Sequence, residues 1–122
     1  MKTFRDLLVW HKAHALVMNT YRLTQRFPSE ERYGLTSQMR RAAVSIAANI
    51  TEGHQRKSKH EFLRFLDMAH GSLDELKYYF VLTSDLEYLD TSDGHQQTAL
   101  AEQVGKMLSG LKSHVRREVR DD

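Results

Sequence analysis

The sequence predicts an all-α protein, an antiparallel four-helix bundle running up, down, up, down. Three observations carry this. Proline occurs once, at Pro28. Four separated segments repeat apolar residues at alternating intervals of three and four, and the connections between them are short enough to make successive helices antiparallel neighbours. Helices are expected at 5–27, 30–53, 58–84 and 93–119, filling one domain over residues 1–122.

In the first helix Val9, Ala13, Leu16, Thr20, Leu23 and Phe27 form one stripe, widened by Trp10, Val17 and Tyr21. Pro28 stops it, because its ring cannot continue the backbone ladder. Ser29 is placed to cap the second helix with Glu30 and Glu31 near its positive end, unless Gly34 moves the start one turn later. That helix buries Leu35, Met39, Ala42, Ile46 and Ile50, while Ala43, Ala47 and Ala48 keep the neighbouring surface shallow, and Gly53 ends it. Ser58 and Glu61 read as a capping box ahead of the third helix, whose seam is Phe62, Leu66, Ala69, Leu73, Leu76 and Phe80. Residues 85–94 (DLEYLDTSDG) are rich in turn formers and predict a loop, after which Leu100, Val104, Met107, Leu111 and Val115 mark the fourth helix.

A chain of 122 residues without cysteine is long enough to bury a core unaided. Disulfides, zinc thiolates, iron–sulfur clusters and thiol catalysis are excluded by composition. The opening MKTFRDLLVWHK lacks the apolar core and cleavage site of a signal peptide, and no apolar run approaches the roughly 20 residues that span a bilayer. A cytoplasmic protein with no membrane partner is expected.

The third helix also carries Phe65, Met68, Tyr79, Leu82 and Leu86 off its seam, and Leu8 and Val9 add to the first. This surplus predicts a homo-oligomer, the alternative being a wider core with partly exposed aromatics. The formal charge is only +2, so its placement matters more than its size. In up-down topology Lys2 and Arg5, then Arg56, Lys57, Lys59 and Arg64, then Lys112, Arg116, Arg117 and Arg120 share one end with His54, His60 and His114, partly offset by Glu61, Glu118, Asp121 and Asp122. The other end gathers Glu30, Glu31, Asp85, Glu87, Asp90 and Asp93. Arg56, Lys57, Lys59, Arg64, Arg116, Arg117 and Arg120 are the candidate contacts to RNA or DNA phosphates, of a kind insensitive to base sequence. The competing reading is solvated charge that complements helix dipoles.

No catalytic constellation is present, and a non-enzymatic protein without cofactor or metal is expected. His11 with His14, and His54 with His60, lack a third ligand, and Glu52 with Glu61 lacks the Glu-x-x-His motifs of di-iron bundles. Ser45, Ser58 and Ser72 have no triad partners. Arg41 is expected in an ion pair, Glu52 paired with an arginine, and Asn49 in an interhelical hydrogen bond. Arg40, Arg41, Ser45, Asn49, Glu52, Phe65 and Tyr79 are the candidates for packing or subunit contacts.

These residues carry a resemblance. Phe4, Leu7, Trp10, Phe27-Pro28, Glu31, Tyr33-Gly34-Leu35, Gln38, Arg40-Arg41-Ala42, Ser45-Ile46, Asn49-Ile50, Glu52-Gly53, Arg56, Glu61-Phe62, Phe65-Leu66, Ala69, Gly71-Ser72, Glu75 and Leu76 resemble the bacterial four-helix bundle family encoded in intervening sequences of 23S rRNA genes, the S23-type ribosomal proteins. Thr51 stands where that family commonly has a small apolar residue, and beyond Leu82 the likeness is one of pattern. The resemblance implies an up-down bundle assembled into a ring, a homopentamer, as in the related accessory protein of diversity-generating retroelements, which is implicated in binding nucleic acid and a reverse transcriptase. It carries over no catalytic residue. Two functions follow as expectations: a ring with nucleic-acid affinity at its basic end, or a homo-oligomeric adaptor that docks another protein.

Overall fold

A computed structural model describes residues 3–121; Lys2 and Asp122, and the side chain of Asp121, lie outside the described residues. Four helices follow in order, α1 (Leu8–Thr24), α2 (Leu35–His54), α3 (Lys59–Asp85) and α4 (Thr91–Asp121), with short 3-10 turns at Phe4–Asp6 and Ser29–Glu31. Each helix packs on its sequence neighbours, and α1 closes the ring of four against α4.

Side-chain bonds fix every neighbouring pair as antiparallel. Trp10 near the start of α1 donates to Thr51 near the end of α2, whereas Arg40, early in α2, reaches Thr24 at the end of α1. Tyr79 meets Gln38 and Ser72 meets Ser45 across α2 and α3. Lys112 meets Asp67, and Lys59 meets Glu118, across α3 and α4. Asn19 donates to the buried Gln97 across α1 and α4.

The predicted stripes of α1 and α2 line the core, as does the α3 seam from Leu66 to Phe80. The α4 stripe is rotated. Gln97, Ala101, Val104, Leu108 and Val115 are buried, while Leu100, Met107 and Leu111 sit at the margin. Small residues turn inward there: a Cβ on Gly105 would stand 3.4 Å from Leu73 Cδ2, so α4 approaches α3 through a glycine rather than a leucine.

The helix starts differ from the sequence reading for local reasons, and α1 ends at Thr24 rather than Phe27 because the backbone tightens ahead of Pro28, with Arg26 N donating to Leu23 O and Phe27 N to Thr24 O. Thr3 and Asp6 form a capping box around the first 3-10 turn, and Leu7 is extended (φ −88°, ψ 118°), so α1 starts at Leu8. Ser29 does not cap α2. Pro28 leads into the 3-10 turn, Gly34 (φ −110°, ψ −113°) breaks the path, and Glu31 Oε1 accepts from Leu35 N at 3.3 Å where the helix begins. Only half of the Ser58 box forms, with Ser58 accepting from Glu61 N at 3.2 Å. The expected ten-residue loop shrinks because Asp90 Oδ1 accepts from Asp93 N at 2.8 Å and starts α4 at Thr91. Just before it, Tyr88 N donates to Thr83 O and Glu87 N to Ser84 O, which closes α3 in a Schellman motif with Glu87 at φ 64°.

Several side chains expected outside the seam belong to the monomer's own packing. Phe65 and Tyr79 are buried, because the α3 stripe is wider than one residue per turn, and Val9 serves the α1 stripe rather than a surplus face. Leu8, Met68 and Leu86 remain exposed, joined by Met18, Tyr21, Tyr33, Val44, Tyr78 and Val81. Among the described residues no helix is long and apolar enough to cross a membrane.

Candidate nucleic-acid interface

The end of α2, the start of α3 and the last turns of α4 meet at one pole of the bundle. Gly53 makes this possible. A Cβ there would lie 2.7 Å from Phe65 Cβ and 3.0 Å from the Phe62 ring, so the α2 terminus reaches α3 only with hydrogen at that position. The buried Phe65 ring then seats two guanidiniums, Arg56 at 4.8 Å and Arg64 at 5.5 Å from its centroid. Lys59 Nζ bonds Glu118 Oε2 at 3.2 Å and ties the head of α3 to the tail of α4. Arg116, Arg117 and Arg120 project from that tail around the buried Val115.

The first segment joins the same pole. Trp10 Nε1 donates to Thr51 Oγ1 at 2.9 Å, and the Arg5 guanidinium lies 5.8 Å over the Trp10 ring. Thr51 therefore has a specific partner in this chain.

The cations divide into two groups. Lys59 pairs with Glu118, Arg64 approaches Glu61 at 3.9 Å, and Lys112 is taken up by Asp67 at 3.2 Å and by His70 Nδ1 at 3.0 Å. Desolvation and then the Lys112 charge hold the His70 pKa below its ordinary 6.5. Arg56, Lys57, Arg116, Arg117 and Arg120 are exposed and make no ion pair among the described residues. The structure thus brings the seven sequence candidates to one pole, Arg56 and Arg64 on the Phe65 ring and the others around Lys59 and Glu118.

The α2 candidates fall elsewhere. Ser45 and Ser72 hydroxyls meet at 2.8 Å on the α2–α3 face. Asn49 donates within its own helix, to Ser45 O at 2.8 Å and Oγ at 3.0 Å, so it supports the neighbouring helix only through that serine. Glu52 and Arg41 are exposed without an ion pair among the described residues; on α2 they point to solvent rather than toward a counter-charge. The Tyr79 hydroxyl lies 2.7 Å from Gln38 Oε1 and 3.0 Å from Glu75 Oε2, and burial together with that carboxylate raises its pKa above 10.0.

His11, His14 and His54 are placed against aromatics. His14 stacks on Trp10 with ring centroids 5.1 Å apart, His54 meets Phe62 edge-on, and His11 Nε2 contacts Arg5 O at 2.7 Å. Among the described residues no three His, Asp or Glu side chains converge as a metal site would require.

A shallow groove of about 460 Å³ between α1 and α2 was not foreseen from the sequence; it gathers Tyr21, Arg32, Tyr33, Arg40, Arg41 and Val44. Only the adjacency of Arg32 and Tyr33 was visible as a local signal, since Tyr21 and Arg40 come together by folding.

The family model described as 23S rRNA-intervening sequence protein matches residues 5–110. A solved structure similar to the chain is that of a protein with unknown function from the S23 ribosomal protein family of Bacteroides thetaiotaomicron VPI-5482, with a TM-score of 0.82 and 23% sequence identity over 88% of this chain and 97% of that one. At that identity the likeness shows the fold alone. No curated protein matches the chain.

Proposed function

The chain belongs to the 23S rRNA-intervening sequence protein family, and from that premise we propose that it is a non-enzymatic, cytoplasmic bundle that assembles into a ring and holds RNA or DNA by its phosphate backbone at the basic pole. One observation carries this reading. Arg56, Lys57, Arg116, Arg117 and Arg120 stand exposed at one pole without internal counter-charges among the described residues. Copies aligned in parallel around an axis, five by the family resemblance, would bring these cations onto one face and concentrate their field. The exposed Met68, Tyr78 and Val81 on α3 supply apolar area for contacts between copies.

Light scattering gives the mass, and anisotropy of a labelled RNA or DNA strand gives affinity as a function of salt. A mass of several protomers with affinity falling steeply between about 50 and 200 mM salt is the expected result. A monomer, or affinity indifferent to salt, would sink this reading.

The same exposed α3 side chains favour a second reading, an oligomeric adaptor in which Met68, Tyr78 and Val81 receive another protein. An assembled ring without affinity for nucleic acid at low salt is its signature.

A further inference from the structure

The groove between α1 and α2 lies away from the basic pole, beside the joint where the two helices connect. Its lining contains three arginines and two tyrosines and no carboxylate. Arg32, Arg40 and Arg41 make no ion pair among the described residues. Glu31, nearest in sequence, is engaged elsewhere: its carboxylate accepts from Tyr88 at 3.0 Å and from Leu35 N at 3.3 Å.

Two features of the groove are set in advance. Arg40 Nε donates to Thr24 Oγ1 at 2.9 Å, Arg40 Nη2 to Tyr21 O at 3.3 Å, and the guanidinium lies 4.6 Å over the Tyr21 ring. It is held by neutral partners, so its charge is fixed in place and uncompensated. Tyr33, by contrast, is 86% exposed, the most exposed of the large apolar side chains. Its backbone is locked into the turn before α2, where a Cβ on Gly34 would come within 2.9 Å of Glu31 Oε1. The Arg32 guanidinium lies over one face of the Tyr33 ring, 5.4 Å from its centroid, and sets a cation beside the exposed ring.

We propose that this groove binds single-stranded nucleic acid, with an unpaired base stacked on Tyr33 and Arg32 and the flanking phosphates on Arg40 and Arg41. Planar rings beside fixed guanidiniums match the two chemical parts of a single strand, whose bases are free to stack and whose backbone is anionic. A duplex offers the phosphates but keeps its bases inside. The assignment does not rest on the basic pole, since it uses none of the pole's residues.

The test uses the full chain and three labelled probes of equal length, about 12 nucleotides: an oligothymidylate, an abasic oligodeoxynucleotide and a duplex. Tyr33→Ala is expected to weaken oligothymidylate binding about 5- to 100-fold while leaving the abasic strand and the duplex unchanged, with Tyr33→Phe restoring affinity. Arg40→Gln with Arg41→Gln weakens both single strands. Neutralising Arg56 and Lys57 instead weakens all three probes, which separates this groove from the basic pole. Because Tyr33 is exposed, its replacement leaves the fold intact, and circular dichroism checks that. The proposal is overturned if Tyr33→Ala has no effect, if it weakens all three probes equally, or if an oligoglutamate peptide competes as well as oligothymidylate. It is equally overturned if the variant lowers the mass in solution, since the groove is then a contact between copies.

Discussion

The two poles of the bundle use charge in opposite ways. At the joint of α1 with α2 and of α3 with α4, acidic side chains hold the connections together. Glu31 binds Tyr88 across the two joints, Asp90 starts α4, and Asp93 pairs with Arg26 at 3.5 Å. At the other pole the connection at residues 55–58 carries Arg56 and Lys57 with no carboxylate to meet them, and Arg116, Arg117 and Arg120 are likewise unmatched among the described residues. The difference teaches that the sign of the charge at a pole says little until internal partners are subtracted. Glu31, Asp90 and Asp93 are used up in architecture; the cations left over at the basic pole are available to an anion.

The sharpest way to break this contrast is to neutralise each pole in turn. Replacing Arg56, Lys57, Arg116 and Arg117 by Gln should flatten the slope of log affinity against log salt by about 3 for a single strand. The unfolding free energy should fall by no more than about 1–2 kcal/mol, mostly from the Arg56 guanidinium leaving the Phe65 ring. Glu31→Gln should do the reverse, lowering the unfolding temperature without touching the salt slope. Equal effects on binding from both variants would abolish the distinction.

Backbone substitutions sharpen it further. An alanine in a helix interior normally outperforms glycine by about 0.5–1 kcal/mol, yet Gly53→Ala at the basic pole should destabilise by about 1–3 kcal/mol, because the new Cβ meets Phe65 Cβ at 2.7 Å. At the acidic pole the sign inverts. Glu87 sits at φ 64°, and Glu87→Gly should stabilise by up to about 1 kcal/mol by removing left-handed strain from a side chain. Urea titrations of the two variants read both signs directly.

The smallest effects are in pH. His70, on the basic half, titrates below 6.5 when folded through desolvation and Lys112, so below pH 6.5 the unfolded chain takes up a proton that the folded chain refuses. Stability therefore falls as pH drops from 6.5 through the folded value. Tyr88 titrates above 10.0 when folded, through its bond to Glu31 and then burial; the unfolded phenol ionises first, and stability falls as pH rises from 10.0 through the folded value. Melting curves of His70→Gln should lose its share of the acid limb, and those of Tyr88→Phe should keep only the part of the alkaline limb that belongs to Tyr79, whose pKa is raised as well.

Much of this architecture was legible in the residues. The stripes from Val9 to Phe27, from Met39 to Ile50 and from Leu66 to Phe80 face inward as their spacing predicts, because helical periodicity acts locally. The α4 stripe was misread because glycine and alanine are silent in an apolar pattern, although Ala101 and Gly105 decide which side of α4 approaches its neighbours. The convergence of cations at one pole followed from topology. Their division into paired and unpaired groups did not, since Lys59 meets Glu118 and Lys112 meets Asp67 across 59 and 45 residues of chain. Nor did the groove beside Tyr33, because no local pattern says that Arg40 will come to rest on Tyr21.

Trp10 is the sole tryptophan. Its ring is stacked on His14, tilted against Phe4 and crossed by the Arg5 guanidinium. The protein thus carries its one indole fluorophore, excitable apart from the tyrosines, at the basic pole, about 20 Å along α1 from the joint that bears Tyr33. An anion arriving at Arg5 alters the indole's surroundings and its emission, whereas a strand confined to the distant groove leaves the spectrum where it was. Unlabelled protein can therefore report occupation of the basic pole by colour, and binding that leaves the indole emission unchanged belongs to the groove.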